Sequence, residues 1–181
     1  MLKQYEMRRK DKEVTDRNWM EEVLRRGWLL HLGLAGEDGW PYVVPIGYGY
    51  ADGVIYMHGA PQGRKNDILA ANPKVCFQVT LDIELLPSEV GSDFTMKYRS
   101  VTGFGHVRNL TDLTEKNAAL KVIMDHYCGP HTDIEKNDAL KITAERRSGS
   151  SIDVKKDHGR ILWVARLDIE SMTGKRSVYR D

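Results

Sequence analysis

The stretch "WPYVVPIGYGYADGVIYMH", residues 40–58, decides the fold of this 181-residue chain. Residues typical of β-strands fill it, and the Asp-Gly pair in its second half predicts a tight turn between two strands. A turn this short joins antiparallel strands, because parallel neighbours need a long crossover. Pro41 and Pro45 cannot donate hydrogen bonds to a ladder, so the first strand is expected to have an edge portion. The glycine spacing in "GYGYADG" does not match the GxGxxG pattern of dinucleotide-binding folds.

The segments on either side continue the antiparallel pattern. In "WLLHLGLA", Leu30, Leu32 and Leu34 alternate with His31 and Gly33, as in a half-buried strand. Further strands are predicted in "VCFQVTL" (75–81), "TMKYRSVTGFGHV" (95–107) and "ILWVARLDIE" (161–170), and helices over 15–26, 64–72 and 110–127, whereas 82–94 are expected to form a loop. Five or six antiparallel strands with helices between them predict a small β-barrel rather than a flat sheet.

Composition narrows the classes of function. The chain has 27 Lys and Arg against 26 Asp and Glu, a net charge of +1, so it has no general attraction to nucleic acid or to an anionic membrane. Cys76 and Cys128 stand alone without a disulfide framework, and no apolar run reaches the ~18 residues of a membrane span. We expect a cytoplasmic, single-domain protein over residues 1–181, with an N-terminal arm (1–14) and an irregular or helical insertion (129–160).

The segment "GAPQGRKNDILAANPKVCF", residues 59–77, is the strongest candidate for a binding site. Arg64 and Lys65 occupy the first turn of a predicted helix that Asn72 and Pro73 end. The amide end of a helix already carries partial positive charge, so cations there are disfavoured unless an anion is bound nearby. The pattern therefore fits a phosphate site. A pair of solvated surface cations, partly offset by Asp67, remains the alternative.

This segment resembles the phosphate-binding segment of the pyridoxamine 5'-phosphate oxidase-like split-barrel flavoproteins. Together with "MRRKDKEVTD", "FTMKYRSVTGFG" and "IESMTGKR", it is similar to the nitroimidazole-resistance (Nim) branch of that superfamily, and the resemblance covers nearly the whole chain. It implies a split β-barrel that binds FMN, with Arg64 and Lys65 holding the phosphate.

The resemblance also implies contacts with the flavin ring or ribityl chain. His58 is the implied catalytic residue, close enough to the flavin to donate a proton or to orient a nitro group; taken alone, a histidine at a strand end is more often structural. The other implied cofactor-binding residues are Pro45, Ile46, Tyr98, Ser100 and Val101. In an ordinary strand Tyr98 and Ser100 share one face.

Other candidates are weaker. "HYCGPH", with His126, Cys128 and His131, does not follow a standard zinc pattern, and a helix end at Gly129 and Pro130 explains it, so no metal site is predicted. Trp40 and Trp163 have the ring size to stack on a flavin, but large aromatic residues more often belong to a core or an interface.

The function implied is that of an FMN-dependent oxidoreductase acting on nitroaromatic compounds such as 5-nitroimidazoles, and of a homodimer with flavin at the subunit interface. A flavin enzyme needs few protein functional groups, because the cofactor carries the electrons. A flavin-binding or haem-binding protein without turnover, for storage or sensing, is the alternative.

Overall fold

The computed structural model describes residues 6–88, 94–128 and 162–177. Its helices are α1 (Arg17–Arg26), α2 (Arg64–Ala71) and α3 (Leu113–Cys128). Its strands are β1 (Glu13–Val14), β2 (Leu30–Ala35), β3 (Pro41–Ile46), β4 (Tyr48–Ala51), β5 (Val54–Gly59), β6 (Lys74–Leu86), β7 (Thr95–Asn109) and β8 (Trp163–Ser177). None of these helices is long and apolar enough to cross a membrane.

The strands form one antiparallel sheet that curls without closing. Its order is β3-β2-β6-β7-β8-β5-β4, and β1 pairs with the far end of β8. The two outermost strands, β3 and β4, are consecutive in the chain and separated only by Gly47. The sheet is therefore a split β-barrel, as predicted, with its opening beside that residue.

One strand was predicted over residues 40–50, and this prediction is wrong. The chain bends at Gly47, where it leaves the ladder with β2 and enters the ladder with β5. A Cβ atom at this position would lie 3.0 Å from the hydroxyl of Tyr127, so the bend has little room for a side chain. The partner exchange depends on a helix far along the chain, which local periodicity does not reveal.

The predicted loop over residues 82–94 is wrong for residues 82–86, and residues 89–93 lie outside the described part of the chain. β6 continues to Leu86 and pairs with the start of β7, after an irregularity between Leu81 and Glu84 where Asp82 has a φ of 54°. That β-bulge breaks the alternation of apolar residues, so the sequence pattern resembles a loop. The predicted insertion over 129–160 lies outside the described residues.

The main hydrophobic core fills the barrel. Leu30, Leu32 and Leu34 point inwards as their alternation predicts, and β8 adds a strand through the middle of the sheet. The helix α1 buries Met20, Val23 and Leu24 in the same core.

A second, smaller cluster lies between α3 and the outer face of β4, β5 and β8, and Ile123 is part of it. Gly49 allows this helix to approach the sheet. A Cβ atom at Gly49 would lie 2.7 Å from both the backbone nitrogen and the Cα atom of Ile123. The glycines of "GYGY" thus allow α3 to pack closely against the sheet, and they do not form a nucleotide-binding motif.

Hydrogen bonds between α1, β4 and α3 complete this contact. The Tyr48 hydroxyl donates to the carbonyl of Leu24 at 2.6 Å, and the Tyr127 hydroxyl accepts from the Tyr48 amide at 2.9 Å. The His126 Nε2 atom lies 2.6 Å from the carbonyl oxygen of Gly27, and burial lowers the pKa of its imidazole, so neutral His126 donates this bond. His126 is therefore a structural residue, and within the described ranges no group of three or more metal-ligating side chains occurs.

We expect Gly49→Ala to lower the free energy of unfolding by about 1–3 kcal/mol, because the new methyl group forces α3 away from β4. Urea denaturation at neutral pH measures this change. Gly33→Ala, in a strand of the same sheet, is the matched control, because its Cβ atom would come no nearer than 3.4 Å to the carbonyl oxygen of Cys76. Equal losses in the two variants would show that the close approach of α3 is not the cause.

Candidate functional site

The first turn of α2 forms the centre of the site. The helix begins at Arg64 as predicted, after Gly63, whose φ of 118° favours glycine. The amides of Asn66 and Asp67 both bond to the Gly63 carbonyl, at 2.8 and 3.2 Å. The amides of Arg64 and Lys65 precede the first intrahelical bonds, so they are left to face an external acceptor.

Arg64 is held on the side of the barrel opening. Its guanidinium carbon lies 4.8 Å from the centre of the Tyr42 ring in β3. Its Nη2 atom lies 3.6 Å from the Oδ2 atom of Asp38, in the turn between β2 and β3. The side chain is 54% exposed, so the guanidinium remains open to a ligand from solvent.

Lys65 has a different environment. Its ammonium nitrogen lies 3.2 Å from the centre of the Trp163 ring, and it donates to Asn66 Oδ1, while Asn66 Nδ2 donates to the Ala60 carbonyl at 2.9 Å. Partial burial lowers the pKa of Lys65 from 10.5 to about 8. In the described part of the chain no carboxylate forms an ion pair with it. The site therefore holds a partly desolvated cation beside free amides, an environment that favours an anion.

Three other predicted residues lie at this end of the barrel. Tyr48 pairs with Met57, and β3 contacts β5, so Pro45 and Ile46 approach the end of β5 that carries His58. β3 is an outermost strand, and one of its edges has no neighbouring strand among the described residues. Pro45 is exposed there, whereas the Ile46 side chain is buried and can offer only its backbone.

His58 is exposed at the end of β5 and pairs with Val164. Because successive side chains alternate, it shares a face with Tyr56 and Val164, the face that α3 covers. Trp163, the ring beneath Lys65, belongs to the core face. His58 and Lys65 therefore lie at one rim of the barrel, on opposite sides of the β5–β8 ladder.

The predicted residues of β7 lie elsewhere. Tyr98 and Ser100 line an open cleft of about 340 Å³ on the outer face of the sheet, with Lys175 and other residues, mostly polar, of β6, β7 and β8. The Ser100 hydroxyl donates to the Lys175 carbonyl at 3.5 Å. Val101 is fully buried in the core, and its backbone lies between Val79 and Gly174, so the ladders with β6 and β8 occupy the backbone groups that it was expected to offer to a cofactor.

The two groups of residues do not meet within one chain. Pro45 is in register with His31, Gln78 and Thr102 across four neighbouring strands. Three interstrand spacings amount to about 14 Å along the sheet. The fold thus brings Arg64, Lys65, Pro45, Ile46 and His58 to one rim of the barrel, and it leaves Tyr98 and Ser100 further round the sheet, on its outer face.

Some residues at or near the site have positions or contacts that were not predicted from the sequence. Trp163 is 7% exposed and fixed by a bond from its Nε1 atom to Asn109 Oδ1 at 2.7 Å, so it supports Lys65 instead of offering a free face. Trp40 is 71% exposed at the end of the β2–β3 turn. Asp38 and Tyr42 had no signature beyond a turn and an alternating strand, because their contact with Arg64 depends on tertiary structure.

Comparison with known proteins agrees with the split-barrel fold. Residues 16–151 match the family model described as pyridoxamine 5'-phosphate oxidase. A solved structure from Bacteroides thetaiotaomicron, provisionally assigned to 5-nitroimidazole antibiotic resistance, is 26% identical with a TM-score of 0.68, over 90% of this chain and 85% of that one. No curated protein sequence matches the chain.

Two further solved structures share the fold at 21% identity and a TM-score of 0.70. One is the flavocytochrome Anf3 from Azotobacter vinelandii, matched over 97% of this chain and 73% of that one. The other is the FAD and haem binding protein from Mycobacterium smegmatis, matched over 93% and 74%. At this identity the likeness concerns the fold alone.

The environment of Lys65 predicts unusual reactivity. We expect its amine to be acylated with a midpoint near pH 8, where an ordinary lysine ammonium is still protonated. Acylation over a pH series, followed by mass spectrometry of peptides, measures this midpoint. Lys121, whose side chain is 73% exposed, is the internal reference. The same pH profile for both amines would contradict the desolvation of Lys65.

Proposed function

Because the chain belongs to the pyridoxamine 5'-phosphate oxidase family, we propose that it binds FMN and acts as an oxidoreductase that reduces nitroaromatic compounds such as 5-nitroimidazoles. The similarity to a structure assigned to 5-nitroimidazole resistance supports this choice of substrate class. When bound, FMN supplies the redox chemistry by passing electrons from a reductant to the nitro group.

The environment of Lys65 carries the proposal. Burial of an ammonium group costs free energy of desolvation, and a nearby carboxylate of the chain normally offsets this cost. Within the described residues no carboxylate does so for Lys65. A phosphate at the start of α2 would accept from this ammonium, from Arg64 and from the backbone amides of both residues. It would also favour the protonated form of Lys65 and raise its pKa again. These residues therefore fit the phosphate end of FMN.

The remaining residues of the rim have simpler roles in this proposal. The open edge of β3 at Pro45 and Ile46 offers backbone groups to the polar edge of the flavin ring system. His58 is exposed at the adjoining end of β5, where its imidazole would hold a proton close to a bound nitro group. Trp163 keeps water from the inner side of the Lys65 ammonium.

We also propose that the protein is a homodimer that completes this site. Tyr98 and Ser100 lie about 14 Å or more round the sheet from Pro45, so in the dimer Tyr98 and Ser100 of the partner subunit would approach the flavin. The outer face of the sheet has apolar side chains suited to such an interface. Val43 is 59% exposed and Phe104 is 40% exposed, in the same register row.

We expect the double variant Arg64→Ala with Lys65→Ala to bind FMN about a hundredfold more weakly than the wild-type protein, because each charged hydrogen bond contributes about 1.5–3 kcal/mol. Titration followed by flavin fluorescence and by absorbance measures the affinity. Arg108→Ala with Lys121→Ala removes two exposed cations elsewhere and is the matched control.

Equal affinity in both double variants would mean that Arg64 and Lys65 are ordinary surface cations. If the wild-type protein binds FMN but no nitro compound reoxidises the reduced form, the protein is a flavin carrier or sensor instead of a reductase. The absorbance spectrum would also reveal haem, were haem the bound group.

We expect His58→Gln to slow reoxidation of the reduced, FMN-loaded protein by a 5-nitroimidazole about a hundredfold, because glutamine cannot supply a titrating proton. Its affinity for FMN should stay within about threefold of the wild-type value, since the change leaves the phosphate contacts intact. Anaerobic stopped-flow mixing measures the rate. An unchanged rate would remove His58 from the reaction.

A further inference from the structure

A carboxylate stands beside the proposed phosphate site. Asp38 Oδ1 accepts a hydrogen bond from the Trp40 amide at 3.1 Å, within the turn between β2 and β3. A Cβ atom at Gly36 would lie 2.7 Å from the same Oδ1, which shows how closely this carboxylate packs against the turn. Its position is therefore set by the turn and does not depend on Arg64.

The contact between Asp38 and Arg64 is electrostatic. The 3.6 Å between Asp38 Oδ2 and Arg64 Nη2 is longer than a normal hydrogen bond. The guanidinium keeps its place through Tyr42, whose ring centre is 4.8 Å from its central carbon, and its donors remain available. Asp38 thus adds a negative charge to the site without occupying the donors of the cation.

We propose that Asp38 competes with the ligand for the charge of Arg64 and so sets how strongly the site distinguishes phosphate groups of different charge. This inference rests on the proposed function. Asp38 lies beside Arg64, so an arriving phosphate is attracted by Arg64 and Lys65 and repelled by Asp38. The repulsion grows with the charge of the phosphate group.

Flavins differ in the charge of the phosphate group that is attached to the ribityl chain. FMN ends in a phosphate monoester that carries close to two negative charges at pH 7.5, whereas in FAD the phosphate next to the ribityl chain is half of a pyrophosphate and carries one. Riboflavin has none. Asp38 therefore weakens the binding of FMN most, that of FAD less and that of riboflavin not at all. It thereby lowers the ratio of the affinity for FMN to the affinity for FAD.

The test is Asp38→Asn, which removes the charge and keeps an oxygen that can accept from the Trp40 amide. Affinities for FMN, FAD and riboflavin are measured by fluorescence titration at pH 7.5 and low ionic strength. We expect FMN to bind about fivefold more tightly and FAD about twofold more tightly, the sizes expected for one charge removed several ångströms from the phosphate. Riboflavin should bind with unchanged affinity.

Glu37→Gln is the matched control, because Glu37 is the neighbouring residue, is exposed and forms no ion pair with any residue of the described ranges. Its effect on FMN affinity should be clearly smaller than that of Asp38→Asn. Raising the salt concentration should reduce the gain in Asp38→Asn, since exposed charges are screened.

Two results would overturn the inference. Weaker FMN binding in Asp38→Asn would mean that Asp38 positions Arg64, and equal changes for FMN and riboflavin would mean that the turn has altered its shape. Failure of the proposed function gives a different result: the wild-type protein then binds none of the three flavins, and the variant binds none either.

Discussion

The contact between α3 and the backbone of Gly49 is the constraint on which the rest of the structure depends. A helix packs here directly against the backbone of a strand, with no side chain between them. A Cβ atom added at Gly49 would lie only 2.7 Å from the backbone of Ile123. The same helix places the Tyr127 hydroxyl against Gly47 and bonds it to the Tyr48 amide, so the chain turns away from β2 at this point. The barrel is split here, and the split gives β3 its open edge beside the end of β5. The position of the candidate site follows from the packing of a helix that contributes none of its residues.

The electrostatic character of the site comes from unequal exposure of two adjacent cations. Arg64 is largely in solvent and already faces Asp38, so it attracts a ligand over some distance. Lys65 is half-buried over Trp163, where a bound anion is screened less by water. The two adjacent cations thus have different roles, because the Arg64 side chain points to the turn between β2 and β3 and the Lys65 side chain points to the core.

Local features of the site could be predicted from the sequence, and long-range ones could not. The start of α2 at Arg64 and the inward direction of Leu30, Leu32 and Leu34 were predicted from local sequence patterns, and the structure confirms both. The bend at Gly47 could not be predicted, because its cause lies in Tyr127, far along the chain. The strand residues hidden by the bulge after Leu81 were missed for a similar reason, since a bulge breaks the period on which strand prediction relies.

The same limit applies to the candidate residues. Arg64 and Lys65 were recognisable because a basic pair at the start of a helix contradicts the helix dipole. Asp38, Tyr42 and Trp163 offered no such contradiction, and only the folded chain shows that they surround the basic pair. The resemblance to a family supplied Tyr98 and Ser100, but a single chain does not bring them to the rim.

The place of β8 in the sheet has a consequence for how the protein is made. β8 is the last described strand, yet it lies between β7 and β5, and in the strand order it is the one link between β3-β2-β6-β7 and β5-β4. Until residues 163–177 have left the ribosome, the nascent chain holds two sheets with exposed edges, and its core cannot close. The barrel is therefore completed only after β8 has been synthesised, and until then the unpaired edges of β5 and β7 are open to aggregation.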